Sequence, residues 1–401
     1  MTSEDAVVLD PSGSDVHGEA TALRARGRAT RVLLPGDHPA WVVTSYELVR
    51  ALFRHPAVSK DPRHWPAWTS GEIAPDWSLH MWVAVENMFT ASGPEHTRLR
   101  KLVAGAFTAR RVREQRPVVE EITTGLLDAL AEAPVGEVVD LRARFASQLP
   151  IGVICHLFGV PAGVRPEIAE AIDVLFSTSA PAEQRADRWQ RLERRIGELV
   201  AGKREAPGDD LTSALITARD ECDQLTEREV LDTLFLMIGA GHETTVNLLD
   251  NAVWALLTHP EQHALVRSGA AGWEAVIEEA LRWQPPLANL PLRFAAADIP
   301  LDDGTTIARG DAVLAGIAGA NRDPEQHPNP EQFDLTRPNR EHVSFGHGVH
   351  FCLGAPLARL EAQVALPALF DRFPGVALAG EVEPLPTFLS LGHLALPVAL
   401  R

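Results

Sequence analysis

The sequence predicts a mainly α-helical fold with small β-sheets, built as a single domain that spans residues 1–401. Apolar residues recur at helical spacing over most of the chain, and short strand patterns flank a few turn sequences. The chain contains no internal repeat and no low-complexity tract, and the polar run 202–210 is its one plausible linker. A rule of roughly one domain per 150 residues would allow two or three domains, but single domains also reach this length.

Proline and glycine stops divide the helical pattern, and we assign each apolar stretch between two stops to one helix. The predicted helices cover residues 45–54, 95–107, 112–132, 141–157, 165–202, 210–217, 226–258, 260–268, 272–283 and 354–372. Strand patterns surround the turn residues 35–37 and 302–304, and a further apolar strand follows Asp311. The strands on either side of these two turns are predicted at 32–34 and 41–44, and at 299–301 and 306–307. Helix therefore dominates, with little sheet.

Charge and composition exclude several classes of protein. The 37 basic and 54 acidic residues give a net charge of −17, which argues against a general nucleic-acid binder, because binding to phosphates needs a basic surface. The longest apolar stretches, 234–241 and 312–320, are about half the length of a membrane span, and the first residues lack the pattern of a signal peptide. We therefore expect a cytoplasmic protein with no membrane anchor. Its three cysteines, at 155, 222 and 352, cannot form a disulfide framework.

One of these cysteines, Cys352, lies in a glycine-rich loop that leads directly into a predicted helix. Unpaired N–H groups at a helix N-terminus favour a thiolate, which makes the sulfur a nucleophile or a metal ligand. Gly348 and Gly354 permit left-handed dihedral angles or close approach to a bulky group. Three alternatives remain at this point: a buried structural cysteine, a zinc site formed with His347 and His350, and a cysteine nucleophile paired with His350.

A second pattern lies in a long central helix. Thr226 and Glu229 form a capping box, and the helix should continue to Thr258, over about 48 Å at 1.5 Å per residue. Its middle is apolar on all sides and then reaches the polar residues 242–245, whose burial is costly unless they are paired. Gly239 and Gly241 are each disfavoured in a helix by roughly 0.8–1.0 kcal/mol relative to Ala. Either a flat ligand approaches this helix, or residues 242–245 form an ordinary buried polar network.

Two further pairs of residues have helical spacing. Glu279 and Arg282 lie three residues apart before a Pro-Pro stop, which alone indicates a surface ion pair. Residues 92–95 resemble another capping box, and the helix that it opens would carry His96 and Arg100 on one face, as in a solvated basic helix.

Together these segments resemble the cytochrome P-450 family. Phe345, Gly348, His350, Cys352 and Gly354 match its heme-binding signature FxxGxHxCxG, and residues 240–245 resemble its oxygen-activation motif (A/G)Gx(D/E)T(T/S). Residues 279–282 match its ExxR motif, and residues 96–100 match its HxxxR segment. The segment that should supply a third partner to the ExxR pair has Gln332 in place of the usual arginine. Either Arg337 or Arg322 could replace it.

The resemblance implies heme b as the cofactor, with Cys352 as the axial iron ligand. It implies that Glu243 and Thr244 relay protons to bound dioxygen. It implies contacts to the heme propionates from His96, Arg100, Arg293 and His350. The other expected heme neighbours are Met88, Ala240, Gly241, Phe345, Gly346 and Gly354.

The implied activity is that of a heme-thiolate monooxygenase, which uses O2 to hydroxylate a C–H bond. Electrons would come from NAD(P)H through a reductase and a ferredoxin, and we expect a monomer. A local excess of basic residues suggests a docking surface for an acidic ferredoxin. These residues are Arg98, Lys101, Arg110, Arg111 and Arg113. Alternatives are a peroxide-driven peroxygenase, a non-catalytic heme-binding or sensor protein, and the zinc protein.

The substrate is expected to be a sizeable apolar molecule of macrolide, steroid or polyketide type. Trp65, Trp68, Trp77 and Trp82 crowd the segment between residues 61 and 89, where they either pack in the core or line a pocket. By the same resemblance, the substrate pocket would be lined by Phe89, Phe176, Met237, Leu287, Ala288, Leu290 and Phe388.

Overall fold

Helices make up most of the computed structural model, which describes residues 6–220 and 225–400. The helices of the first half are α1 (Val16–Arg26), α2 (Tyr46–Arg54), α3 (Pro66–Thr69), α4 (Met81–Ala84), α5 (Gly93–Ala104), α6 (Ala109–Glu114), α7 (Arg116–Ala131), α8 (Gln148–Leu157) and α9 (Arg165–Phe176). They are followed by α10 (Ala182–Glu205), α11 (Leu211–Asp220), α12 (Glu227–Thr258), α13 (Pro260–Arg267), α14 (Trp273–Trp283), α15 (Ile317–Asn321) and α16 (Ala355–Arg372). Short 3-10 turns cover Pro62–His64, Gly105–Phe107, Ala162–Val164 and Gly348–His350, and Arg142–Ala146 forms a π turn.

The strands are short and form small sheets. They are β1 (Val7–Val8), β2 (Ala29–Leu34), β3 (His38–Val43), β4 (Val58–Ser59), β5 (Val138–Asp140), β6 (Asn289–Ala295), β7 (Ile299–Pro300), β8 (Thr306–Ile307), β9 (Ala312–Gly316), β10 (Ala377–Leu378) and β11 (Pro397–Ala399). The largest sheet in the described residues has the order β1-β2-β3-β9-β6-β4, and smaller sheets join β10-β11-β5 and β7-β8. The predicted mainly α-helical fold with minor sheet is confirmed.

Several predicted boundaries were wrong, and local backbone chemistry explains them. The helix predicted at 165–202 is two helices, because the chain turns at 177–181 and Pro181 begins α10. The helix predicted at 112–132 is divided between α6 and α7, where Pro117 starts a new helix. The helix predicted at 141–157 begins as a π turn. Helix α1 and strand β6 were not predicted.

Of the two predicted capping boxes, the first forms and the second does not. At α12 the Thr226 side chain accepts a hydrogen bond from Glu229 N, and Glu229 Oε2 accepts one from Thr226 N. At α5 the hydroxyl of Ser92 makes no cap and instead accepts a hydrogen bond from the backbone N–H of Lys60 at 2.8 Å. The Ser92 side chain therefore connects the start of α5 to the strand segment around β4.

Helix α12 passes through the largest hydrophobic core, and α8, α9, α10, α14 and α16 pack against it. Every element of the candidate site described below contacts this helix or lies on the sheet and loops beside it. No helix in the described residues is long and apolar enough to cross a membrane. Cys222 lies outside the described residues.

Candidate active site

The Cys352 loop is a closed turn before α16. Cys352 N donates a hydrogen bond to Phe345 O at 2.8 Å, which ties the two ends of the loop together. Gly346 and Gly348 have φ angles of 70° and 74°, in the left-handed region that favours glycine. A Cβ on Gly348 would lie 2.7 Å from Phe53 O, so only glycine allows the loop to approach the end of α2. The loop is thus shaped to hold one cysteine in a fixed position.

The surrounding protein sets the protonation of this thiol. Burial raises the pKa of Cys352, while the N–H groups of Gly354 and Ala355 and the guanidinium groups of Arg100 and Arg359 act in the opposite direction. The predicted effect of the helix N-terminus is therefore present but does not by itself produce a low pKa. Since a coordinating thiol is deprotonated by the metal ion that it binds, a bound cation would supply the missing positive charge.

The zinc alternative finds no support. No group of three His, Cys, Asp or Glu side chains is arranged to hold a metal ion in the part of the chain that the structure describes. His347, His350 and Cys352 are close in sequence, but they do not converge as a zinc site requires.

The predicted propionate contacts meet beside this loop. The rings of His96 from α5 and His350 lie 4.1 Å apart between centroids, and Arg100 Nη2 donates to Phe351 O at 2.7 Å. Arg293 from β6 is buried, with its guanidinium 3.8 Å from the centre of the Phe53 ring. The structure therefore brings three separate segments together at one place.

A fifth hydrogen-bond donor, Lys60, was missed by the sequence reasoning. It is buried, its Nζ donates to Pro291 O at 2.9 Å, and it lies 3.6 Å from the centre of the Phe89 ring. No pattern around residue 60 identified it, because its proximity to Arg293 arises only from the packing of the chain segment after β4 against β6. We call His96, Arg100, Arg293, His350 and Lys60 the donor cluster.

The donor cluster lacks negative partners within the described residues. None of its five members forms an ion pair with a carboxylate there, and His96 Nε2 and Arg293 Nη1 are buried without a hydrogen-bond partner. Burial lowers the pKa of Lys60, and it lowers the pKa of Arg293 to about 9 and that of His350 to about 2. Buried positive charges and unpaired donors are costly unless an anion meets them. The two carboxylates of heme fit this requirement, and so the residues present fit the expected cofactor.

One face of α12 is accessible although the helix around it is buried. Ala240 is exposed and Thr244 is half-buried, one turn apart, and Thr244 Oγ1 donates to Ala240 O at 2.7 Å. Gly241 does not belong to this accessible face. It packs against α8, and a Cβ there would lie 2.9 Å from Ile154 Cδ1. The structure thus explains Gly241 by close packing of α8 on α12, whereas Ala240 and Thr244 present the surface that a flat ligand could approach.

Glu243 points away from that face into a buried polar network. Its Oε1 accepts a hydrogen bond from Asn247 Nδ2 at 2.9 Å and lies 3.9 Å from Arg142 Nη2. Arg142 also donates to Asn247 Oδ1 at 2.8 Å. Burial raises the pKa of Glu243 to about 7, and Arg142 opposes that shift. A carboxyl group with this pKa can hold or release a proton near neutral pH.

The structure identifies the third partner of the Glu279–Arg282 pair, which the sequence left open because Gln332 stands at the position of the usual arginine. Arg282 donates to both Glu279 oxygens at 2.7 and 2.8 Å, and Arg337 Nε donates to Glu279 Oε1 at 3.4 Å. Gln332 contributes its carbonyl oxygen, which accepts from Arg282 Nη2 at 2.9 Å. Arg322 instead donates to the carbonyl oxygen of Trp283. Arg337 is therefore the third partner, and this pair is buried rather than on the surface.

The predicted pocket residues fall into two groups. Trp82 lies between Phe89 and Phe176, with ring centroids 5.6 and 5.1 Å away, and a Cβ on Gly239 would lie 3.9 Å from the Phe176 ring. Met237 is buried in the core of α12, and Leu287 and Leu290 are partly exposed. Ala288 and Phe388 are fully buried in hydrophobic clusters, and their place in the pocket stays a prediction.

The predicted basic surface is smaller than expected. Lys101, Arg110, Arg111 and Arg113 are exposed, but Arg98 forms ion pairs with Glu95 and Glu229. The charge of Arg98 is thus neutralised where α5 meets α12. The exposed Val349 and Phe351 lie on the Cys352 loop, which Arg100 connects to α5.

Comparisons with known proteins agree with this geometry. The family model described as Cytochrome P-450 matches residues 273–397. The 2-hydroxy-5-methyl-1-naphthoate 7-hydroxylase of Streptomyces carzinostaticus is 44% identical over 98% of this chain and 97% of its own length. CYP154A1 from Streptomyces coelicolor A3(2) is 52% identical, with a TM-score of 0.95 over 99% of this chain and 100% of that one. The testosterone-bound CYP154C4 from Streptomyces sp. ATCC 11861 is 43% identical, with a TM-score of 0.95 over 100% of this chain and 98% of that one.

Proposed function

Because this chain belongs to the cytochrome P-450 family and is a heme monooxygenase of that family, we propose that it hydroxylates a sizeable, apolar, ring-containing small molecule. The observation that carries the heme site is the donor cluster, in which Lys60, His96 and Arg293 are buried and no member pairs with a carboxylate among the described residues, beside the thiol of Cys352. Two of the relatives named above act on or bind fused-ring molecules, a naphthoate in one case and testosterone in the other. A flat apolar substrate is consistent with the aromatic group of Trp82, Phe89 and Phe176.

The residues have distinct tasks in this proposal. When bound, the heme supplies dioxygen activation and the oxidation of the substrate C–H bond. Cys352 would hold its iron through the thiolate sulfur, and the donor cluster would hold its propionates. Thr244 would hold a proton at its hydroxyl on the accessible face of α12, and Glu243 would supply protons from the buried side of the same helix.

A spectrum of the reduced, carbon-monoxide-bound protein tests the heme-thiolate site. The wild-type protein should show the thiolate-type Soret band, and Cys352→Ala should lose it. Cys155→Ala is the matched control, because Cys155 is fully buried in the core and should leave the band unchanged. A colourless wild-type protein, or an unchanged band in Cys352→Ala, would refute the assignment.

The substrate class is tested by binding. Titration with testosterone, with 2-hydroxy-5-methyl-1-naphthoate and with a straight-chain fatty acid should give a low-spin to high-spin shift only for the ring compounds. Trp82→Ala should weaken that shift more than Trp68→Ala, since the ring of Trp82 contacts Phe89 and Phe176 whereas the ring of Trp68 contacts His80. Tighter binding of the fatty acid would contradict the proposal.

We also propose that electrons come from NAD(P)H through a reductase and an acidic ferredoxin that docks on Lys101, Arg110, Arg111 and Arg113. These exposed cations lie on α5, whose Arg100 contacts the Cys352 loop, and on α6, which packs against α16. In a chain of net charge −17 they favour complementary steering of an acidic partner. The peroxygenase alternative is less favoured, because the chain keeps both Glu243 and Thr244. Product formation with peroxide and none with a redox chain would reverse that ranking.

A further inference from the structure

Arg359 of α16 and Glu278 of α14 form an ion pair close to the Cys352 loop. Arg359 Nε donates to Glu278 Oε1 at 2.6 Å and its Nη2 donates to Glu278 Oε2 at 2.8 Å, which is the two-point geometry of strong charged hydrogen bonds. His342 Nε2 lies 3.1 Å from the same Oε2. Burial acts to raise the pKa of Glu278, but the hydrogen bonds from Arg359 and His342 lower it to about 2. Glu278 is therefore ionised and balances the guanidinium charge.

The same guanidinium lies against the loop that holds the cysteine. Its carbon Cζ is 4.5 Å from the centre of the Phe345 ring, a distance at which a cation is attracted to the face of the ring. Phe345 O in turn accepts the hydrogen bond from Cys352 N at 2.8 Å. Arg359 is thus held on one side by Glu278 and on the other by the first residue of the Cys352 loop.

An open groove of about 270 Å³ borders the ion pair. Besides the two charged partners, its walls include Tyr46, His342, Phe345 and Phe351. Of the two side chains, 32% of Arg359 and 22% of Glu278 are exposed. A pair of charges this exposed contributes little to stability, so either partner can be replaced without unfolding the protein. Its electric effect on the adjacent loop remains, because water and ions reach the pair only from the groove.

We propose that Glu278 keeps the reduction potential of the heme low by neutralising the charge that Arg359 places against the Cys352 loop. The proposal rests on Cys352 as the residue that holds the iron. Reduction moves one electron from the reduced ferredoxin, which is oxidised, to the cofactor, and no bond or proton changes. A nearby cation without a counter-charge favours the added electron, and a nearby anion disfavours it. Glu278 and Arg359 are positioning residues in this role, because they act through the loop.

The test is the reduction potential of the holoenzyme, measured by equilibration with a reference dye at low ionic strength. Glu278→Gln should raise the potential and Arg359→Gln should lower it, each by a several-fold change in the equilibrium constant with the dye, because each leaves one charge without its partner. Arg359→Lys keeps the positive charge and should stay close to the wild type. The double variant Glu278→Gln/Arg359→Gln should lie between the two single variants. All shifts should shrink in high salt, which screens charges beside an open groove.

Asp128→Asn and Arg372→Gln are the matched controls, because they break another ion pair of α16, at the opposite end of the helix, where Arg372 Nη2 lies 3.3 Å from Asp128 Oδ1. Both should leave the potential unchanged.

The carbon-monoxide spectrum separates this proposal from the heme site on which it rests. Every variant should keep the thiolate-type Soret band of the wild type, and a wild-type protein without that band refutes the heme site and this proposal together. With the band present, shifts of the same sign in Glu278→Gln and Arg359→Gln overturn the proposal alone, as do shifts that high salt leaves undiminished. If Arg359→Gln fails to bind heme, Glu278→Gln decides by itself, since an unchanged or lowered potential in that variant contradicts the proposal.

Discussion

The Glu279 network and the donor cluster both contain buried charges, but they differ in how these charges are balanced. In the Glu279 network each charge meets its partners within the chain: Arg282 and Arg337 contact Glu279, whose Oε1 also accepts from Asp334 N at 3.0 Å. In the donor cluster Lys60 and Arg293 meet no carboxylate in the described residues, and burial lowers the pKa of both.

This difference separates a structural role from a binding role. When both charges of a buried ion pair belong to the protein, removing one of them destabilises the fold, because the other charge stays buried without a partner. A buried cation without a partner destabilises the protein until a ligand supplies the anion. Variants of the two groups should therefore respond in opposite directions when stability is measured without the cofactor.

The largest effect is expected at the Glu279 network. Glu279→Gln should lower the free energy of unfolding by about 3–5 kcal/mol, because it leaves Arg282 and Arg337 buried without a counter-charge. Chemical denaturation measures this. Glu274→Gln, on the exposed face of the same helix, should change stability by no more than about 0.5 kcal/mol. Equal effects of the two substitutions would show that the network is not structural.

The donor cluster should show the opposite sign without heme. Arg293→Met and Lys60→Met should each stabilise the heme-free protein by about 1–4 kcal/mol, because they replace a buried charge by an apolar side chain. The same variants should lose heme to an acceptor protein about tenfold or more faster, since each removes a charged hydrogen bond to the cofactor. The exposed Arg309→Met is the control. A less stable heme-free protein would contradict the comparison.

A buried histidine without a partner gives a third, pH-dependent case. Neither ring nitrogen of His242 has a hydrogen-bond partner among the described residues, and burial lowers its pKa from 6.5 to about 3. The unfolded chain therefore takes up a proton below pH 6.5 that the folded protein does not, and stability falls as pH falls. The free energy of unfolding should therefore fall between pH 7 and pH 5, and in His242→Phe this fall should be smaller by about 2 kcal/mol. Denaturation at both pH values measures this, and the exposed His64→Phe should leave the fall unchanged.

The smallest effect is expected on the basic surface. Arg111→Glu should slow reduction by an acidic ferredoxin several-fold at low ionic strength and hardly at all in high salt, because exposed charges are screened. Stopped-flow reduction across a salt series measures this. Arg28→Glu, which reverses an exposed charge elsewhere, should leave the rate unchanged. An effect of Arg111→Glu that persists in high salt would indicate a structural rather than a steering role.

Local chemistry made part of the molecule predictable. The Cys352 loop could be identified because left-handed glycines and the following helix are encoded by neighbouring residues. The start of α12 could be identified because a capping box lies within four residues. The burial of Glu279 and Arg282 could not be derived from their spacing alone, which fits a surface pair equally well, and only the family resemblance indicated it.

Contacts between distant segments were not predictable. Lys60 joins the donor cluster, and Arg337 rather than Arg322 joins Glu279, each through packing of segments that are far apart in sequence. Ser92 has the sequence of a helix cap, but a competing partner, the N–H of Lys60, occupies its hydroxyl. Spacing patterns carry no information on such competition.

The pairing of β3 with β9 has a consequence for synthesis of the protein. Ala40 pairs with Ala312 in parallel register, so the strand made near the start of the chain lacks this neighbour until most of the chain has been made. At 5–20 residues per second, β3 waits about 14–54 s for its partner on the ribosome. During that time an apolar strand edge is open to wrong pairing. Production of this protein in a foreign host should therefore be limited by nascent-chain aggregation, and additional chaperone should raise the yield more than additional heme.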